Sequence, residues 1–258
     1  MLMVVFFAVL FYIYNLLVVC DSHVRQLFLY SDKRNYIIFL APILHLWFIY
    51  HQIFQLPDPD FNLFNIFSVI MLNVSFLVNI YINSFKLFFI SFSAYLCSIL
   101  SILFSFFSPI SYILNSEMQP LVLFHILFAL LSYSILFLAS LFSISLYMIN
   151  RQLKNKRIDV ADRSVSILAI EKLCLKFLYI GWFILLCAIL SGYFFVEAWS
   201  TIDLFKELLS GIAWLCYGLL LYYYNRKGLS FKYVLLCNLL GLFLLTAAYF
   251  GVRIITLI

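Results

Sequence analysis

Charge is scarce in this chain. Only 10% of its 258 residues are Asp, Glu, Lys or Arg, against about 25% in ordinary soluble domains. A composition that is 66% hydrophobic leaves too few charges to cover the surface of a water-soluble globule, so an integral membrane protein is expected. Glycine and proline are also few, seven and five, and lie mostly near the ends of apolar runs. A small-solute transporter, with helices broken at mid-membrane, calls for more of both at those depths. The six cysteines (Cys20, Cys97, Cys174, Cys187, Cys216 and Cys237) form no C-x-x-C pair, which argues against a thiol-redox or zinc site. They read as small buried hydrophobes. Neither a nucleotide-binding loop nor a nucleophile–base pair is visible, so no enzyme is expected. The first run, 1–19, lacks a basic leader and a small-residue cleavage site, and Val19 before Cys20 suits lipid attachment poorly. It reads as a retained helix.

What is present in quantity is hydrocarbon. Spanning a bilayer takes about 20 apolar residues, and eight runs qualify: about 1–20, 36–54, 61–82, 85–107, 121–149, 173–196, 204–224 and 231–256. The stretches between them carry turn or charge chemistry, such as "QLPDPD", "RQLKNKRIDVADRS" and "NRKGLS". The junction between runs three and four is the thinnest, interrupted only by Asn83, Ser84 and Lys86. The runs are too long for strands and show no alternation, so the expected fold is an all-α polytopic bundle forming a single domain, 1–258.

The net charge of +5 does not imply nucleic acid, because the basic residues sit between apolar runs, where they mark topology and meet anionic headgroups of the lipid bilayer. The first, third, fifth and seventh loops with their flanks hold fourteen of the sixteen Lys and Arg. By the positive-inside rule these loops face the cytoplasm and both termini face the outer, periplasmic side.

Polar residues at membrane depth are the candidates for function. The fifth run presents His125, Ala129, Ser132, Ala139, Ser140 and Ser143 at helical spacing, and the third presents Asn65, Ser68, Ser75 and Asn79. Such stripes serve interhelical packing with hydrogen bonds, or let a flat ligand approach. His125 falls about one turn below the outer surface. His51, near the outer end of the second run, lies at comparable depth, with His45 roughly 9 Å deeper at ~1.5 Å rise per residue. Two imidazoles meeting between helices can ligate a haem iron from both faces, so His125, His45 and His51 are the candidate ligands. His51 also suits an interfacial role, and His23 a solvated loop. "LLYYYNRKG" reads as an interface anchor at the inner end of the seventh run, with a tyrosinate haem ligand as the alternative.

The segment "LVLFHILFALLSYSILFLASLFSISLYMINRQLKNKR" resembles the histidine-bearing part of the cytochrome c assembly proteins, the haem-handling family that includes CcsA, ResC and CcmC. The likeness continues through "LAIEKLCLKFLYIGWFILLCAILSGYFF" and "GIAWLCYGLLLYYYNRKG" to "AAYFGVRI", covering most of the chain from about His45. The arrangement, with "FNLFNIFSVI" in the third run, is most like the short YpjD branch, related to HemX. The resemblance implies a bacterial inner-membrane protein that binds haem b, with His125 in the place of an external haem-ligating histidine. It also implies another membrane or periplasmic assembly protein as partner. Trp199, within "EAWSTIDLFKELLSGIAW", corresponds to a shortened tryptophan-rich outer loop that cradles haem in the family, with Asp203, Glu207 and Trp214 as its other landmarks. The chain departs from the pattern in three places. The W-x-W-D core is missing, no histidine follows "AYFG", and the inner-end histidine of the seventh helix is replaced around Tyr224. Haem binding and presentation is therefore the leading expectation. A scaffold or regulator that keeps the fold without the ligand set, in haem synthesis or ion homeostasis, is the alternative.

Reporter fusions at Lys156 and after Ile258 are expected to report opposite sides of the membrane. The same side for both would overturn the eight-span topology.

Overall fold

The computed structural model describes residues 1–20, 36–54, 61–85, 88–108, 120–155, 167–195 and 201–251. Its helices are α1 (Leu2–Cys20), α2 (Leu40–Phe54, entered through a 3-10 turn at Tyr36–Phe39), α3 (Leu63–Phe85) and α4 (Phe88–Phe107). They continue as α5 (Pro120–Lys154), α6 (Ile167–Phe195), α7 (Thr201–Lys227) and α8 (Phe231–Thr246), the last running into a π-helical turn at Ala247–Gly251. No strand occurs among the described residues. Eight helical segments are long and apolar enough to cross a membrane, so the chain is an all-α, multi-pass membrane protein.

Hydrocarbon leaves the backbone no other partner than itself, which is why apolar runs of this length become helices. Their ends follow local chemistry. Pro120 opens α5 where the first N–H has no intrahelical acceptor to lose. α7 stops because Gly228 turns to φ 63°, a left-handed conformation natural to glycine, and its N–H bonds Tyr224 O at 3.0 Å. Ser230 then starts α8, its carbonyl accepting from the N–H groups of Tyr233 and Val234 at 2.9 and 3.2 Å. Arg151 and Lys154 close α5, and Arg226 and Lys227 close α7, where cations suit the helix dipole.

Several helices outrun their apolar stretches, α5 and α6 by the most. α5 extends to Lys154 rather than 149, and α6 begins at Ile167 rather than 173. Hydropathy marks the hydrocarbon thickness, whereas Arg, Gln, Lys and Glu are good helix formers that carry the helix on past it. At 35 residues α5 is about 50 Å long, well beyond a ~30 Å hydrocarbon layer. The thin junction between the third and fourth runs is a real boundary, with α3 and α4 separate and packed together.

The chain forms two compact units, Met1–Met118 and Gln119–Ile258. In each, four helices close a ring in which consecutive helices pack and the first packs on the last. The first unit is held by a buried polar chain. Ser75 donates its single hydroxyl proton to Leu72 O at 2.9 Å, so its oxygen accepts from Tyr12 Oη at 2.7 Å. The phenol oxygen then accepts from His45 Nδ1–H at 3.1 Å, and His45 Nε2 accepts from Ser68 Oγ at 2.7 Å. Nearby, Asn15 of α1 and Asn79 of α3 both donate to Ile38 O, at 3.0 and 2.8 Å, and Tyr95 of α4 donates to Asn79 Oδ1 at 2.5 Å. Ser105 donates to Asn65 Oδ1 at 2.6 Å. The polar stripe of α3 is thus interhelical hydrogen bonding along its length.

In the second unit Asn238 of α8, fully buried, accepts from Ser140 Oγ at 3.1 Å and donates to Ser143 Oγ at 2.7 Å, tying α8 to α5. Gly241 of α8 lies under the Tyr217 ring of α7, where a Cβ would come within 2.6 Å. Gly181 of α6 meets Leu136 of α5 as closely, at 2.7 Å. The cysteines depart from expectation in one respect: only Cys174 is buried, while Cys20 is exposed and the other four are half-buried. A thiol is apolar enough to face lipid as readily as protein.

Tyr12→Phe removes the hydroxyl that joins His45 to Ser75 and strands an imidazole N–H in a dry interior. A loss of about 1–3 kcal/mol is expected, measured by denaturant unfolding in detergent micelles. An unchanged midpoint would mean that the chain of bonds contributes nothing to folding.

Candidate functional site

The second unit carries a cavity at one end, where the start of α5 meets the end of α6, the start of α7 and the end of α8. Its volume is about 160 Å³. The polar part of its lining is His125, Ser132 and Tyr133 of α5, Lys206, Glu207 and Ser210 of α7, and Tyr249. Ala129, Leu185, Ala188, Ile189, Leu245 and Ala248 form the apolar wall. Ala248 and Tyr249 belong to the π-helical turn. Such turns interrupt the regular ladder and recur at functional sites. Thr246 donates its hydroxyl proton to Leu242 O at 2.7 Å, so its oxygen accepts from the lining residue Tyr133, whose Oη is 2.6 Å away.

His125 is half-buried, and its ring is held from one side. Nδ1 lies 2.9 Å from Ala188 O and 3.0 Å from Ser191 Oγ. A carbonyl can only accept, so Nδ1 carries the proton. Ser191 donates its own proton to Ala188 O at 2.8 Å, which leaves its oxygen free to accept as well. This fixes the tautomer: Nε2 bears the lone pair, and among the described residues it has no hydrogen-bond partner. An imidazole whose Nδ1–H is tied to a carbonyl while Nε2 stays available is the arrangement proteins use to present a histidine to a metal.

The other predicted residues are placed differently. His45 is buried in the first unit with both nitrogens engaged, by Tyr12 and by Ser68. His51 is exposed near the end of α2. Residues 119–258 contain no histidine besides His125. Trp199, like His23, lies outside the described residues. Trp214 stacks on Trp182, with ring centroids 5.2 Å apart and planes 11° from parallel, and Trp182 Nε1 donates to Trp214 O at 3.1 Å. It is not among the cavity residues. At the opposite end of the unit, Tyr222 and Tyr223 are exposed beneath Arg226 and Lys227, each cation 5.9 Å from a ring centroid. Tyr224 instead turns inward and donates to Glu171. Among the described residues no group of three or more His, Cys, Asp or Glu could hold a bare metal ion.

Comparison with known proteins agrees with this architecture. The match to the cytochrome c assembly protein family spans residues 31–258, all of the second unit and the first unit from α2 onward. The chain belongs to the cytochrome c assembly protein family. Among curated proteins it is similar to "Inner membrane protein YpjD" of Escherichia coli strain K12 and to the YpjD proteins of strains O6:H1 and O157:H7. Each is 29% identical over 205 residues, covering 78% of this chain and 78% of its own. No solved structure matches the chain.

Within this cytochrome c assembly fold, several residues of the second unit give little sign of themselves in the sequence. Asn238 is one amide in a long apolar run, and its isolation at mid-helix is the signal that finds it. Tyr133 and Ser210 look like ordinary members of aromatic and small-residue patterns. Ala188 acts through its carbonyl, which no side-chain motif reveals.

Proposed function

We propose that this chain is a haem-handling protein of the bacterial inner membrane, holding haem b near the outer face and presenting it to an assembly partner. His125 Nε2 is the iron ligand. The observation that carries this is the tautomer: Nδ1–H is committed to Ala188 O and Ser191 Oγ, and Nε2 is left for a ligand at a largely apolar cavity. Family membership supports the same class of role.

The residues fit one face of haem. His125 supplies an axial nitrogen, the alanines and leucines of the wall suit a flat apolar body, and Lys206 suits an anionic group at the rim. At about 160 Å³ the cavity is smaller than the usual ~300–1,000 Å³ of a ligand site. Haem, when bound, supplies the iron chemistry. The chain binds and orients it and is not itself an enzyme.

A second function keeps support from a specific observation. Both nitrogens of His45 are engaged, and residues 119–258 hold no second imidazole, so a six-coordinate bis-histidine site lacks a prepared partner. A scaffold or regulator that keeps the fold without haem is the alternative.

The deciding experiment uses protein purified in mild detergent after haem-replete growth, with bound haem read by Soret absorption at equal yield. Wild type is expected to carry haem, and His125→Gln to lose most of it while staying folded, because Gln still reaches Ala188 O but ligates iron poorly. His45→Gln is expected to lower stability more than it lowers haem per folded protein, and His51→Gln to change neither. Equal haem in wild type and His125→Gln would remove the ligand role. No haem in wild type would favour the scaffold.

A further inference from the structure

We propose that Gly192 is a positioning residue for His125, required because only a residue without a side chain lets the imidazole keep its anchored orientation. The inference rests on the assignment of His125 as the ligand, but its geometry stands on the chain itself. A Cβ built at Gly192 would lie 2.9 Å from His125 Cε1 and 3.4 Å from Nδ1. Real Cβ atoms do not approach carbon so closely, so something has to move. Glu207 Oε2, on the far side of the same gap, would be 3.7 Å away, an ordinary contact. The ring has to yield, and the carboxylate does not.

The direction of that yielding matters. Cε1 lies between the two nitrogens, so a push there turns both. Nδ1 is held at 2.9 Å from Ala188 O, on the same helix and one turn before Gly192. The ring cannot retreat from position 192 and also keep that bond, because its anchor and the intruding Cβ stand on the same face of α6. Loss of the anchor releases the tautomer, and Nε2 no longer presents a fixed lone pair. Gly211 and Gly228 differ, with nothing within 4 Å of a built Cβ. Glycine at 192 is poor for a helix interior, where alanine is the better helix former. Its presence in α6 is accounted for by the ring packed against it.

The test compares wild type with Gly192→Ala, using Gly211→Ala as control. Histidine labelled with 15N, the His125 signal being identified by its loss in His125→Gln, reports the tautomer without any haem. Wild type and Gly211→Ala should show a protonated Nδ1, and Gly192→Ala a mixed or reversed tautomer. Haem affinity should fall about tenfold or more in Gly192→Ala, the usual cost of disturbing an outer-shell partner. Should Gly192→Ala fold poorly, His125→Ala combined with it supplies the check. Removing the ring removes the clash, so Gly192→Ala should lower the melting midpoint in the wild-type background and not in the His125→Ala background. An unchanged His125 signal, or the same midpoint shift in both backgrounds, would overturn the proposal. A wild type with the anchored tautomer but no haem would sink the ligand assignment and leave the positioning intact.

Discussion

A hydrogen-bonding group inside hydrocarbon has no water to fall back on, and each one left unpaired costs more than most packing contacts return. The first unit answers this with a continuous linear chain. The proton sequence from Ser68 through His45 and Tyr12 to Ser75 ends on the Leu72 carbonyl, so His45, Tyr12 and Ser75 each both give and receive. The second unit satisfies Asn238 in the same way. Among the described residues, Asn15 Oδ1, Ser145 Oγ and Trp214 Nε1 are buried without a partner, whereas the open nitrogen of His125 belongs to a residue lining a cavity. Two histidines in similar apolar runs thus differ in kind, and the difference lies in what each ring nitrogen meets.

The same unit shows how close approach is divided along one helix. The stripe on α5 is a single face, yet its two halves do different work. From Ala139 to Ser143 it is buried against α6 and α8, with Cys174 against Ser143 and Ala139 O and with Asn238 across the seam. From His125 to Ser132 it borders a cavity, with α6 in close contact with the His125 ring through Ala188, Ser191 and Gly192. The small residues have no side chain long enough to fill either place. What separates the halves is what the facing helix brings: Gly181 lets α6 close on Leu136, whereas the π-helical turn at Ala247–Gly251 breaks the regular surface of α8 beside the cavity.

Fold class and the eight spans were legible from the sequence because hydrocarbon thickness imposes one length scale and one secondary structure. Charge placement and run length are one-dimensional signals, and they survive without any knowledge of contacts. The ends of α5 and α6 were misread by several residues because charged helix formers continue a helix after hydropathy has ended. The candidate ligands were legible as residue types, since a histidine at membrane depth is conspicuous. Their roles were not. Nothing in "PILHLW" says that Ser68, 23 residues away, takes His45 Nε2, and nothing in "LFHILF" says that Ala188 O, 63 residues away, holds Nδ1 of His125. Interhelical pairing is three-dimensional information, and helical spacing supplies only the face on which it happens.

The site and its orientation are specified at opposite ends of the second unit. The cavity lies where α5 and α7 begin, while the basic residues Arg151, Lys154, Arg226 and Lys227 lie where those helices finish. By the positive-inside rule these charges are expected to hold their end at the cytoplasmic leaflet, and Tyr222 and Tyr223 sit beside the cations there. Antiparallel packing then delivers His125 to the other face. The cavity end carries few competing cations, with Lys206 among its lining. The chemistry at His125 is therefore free to vary without disturbing insertion, and the insertion signal can change without touching the cavity. A fold divided in this way can change its cavity end and still keep the charge pattern that orients it.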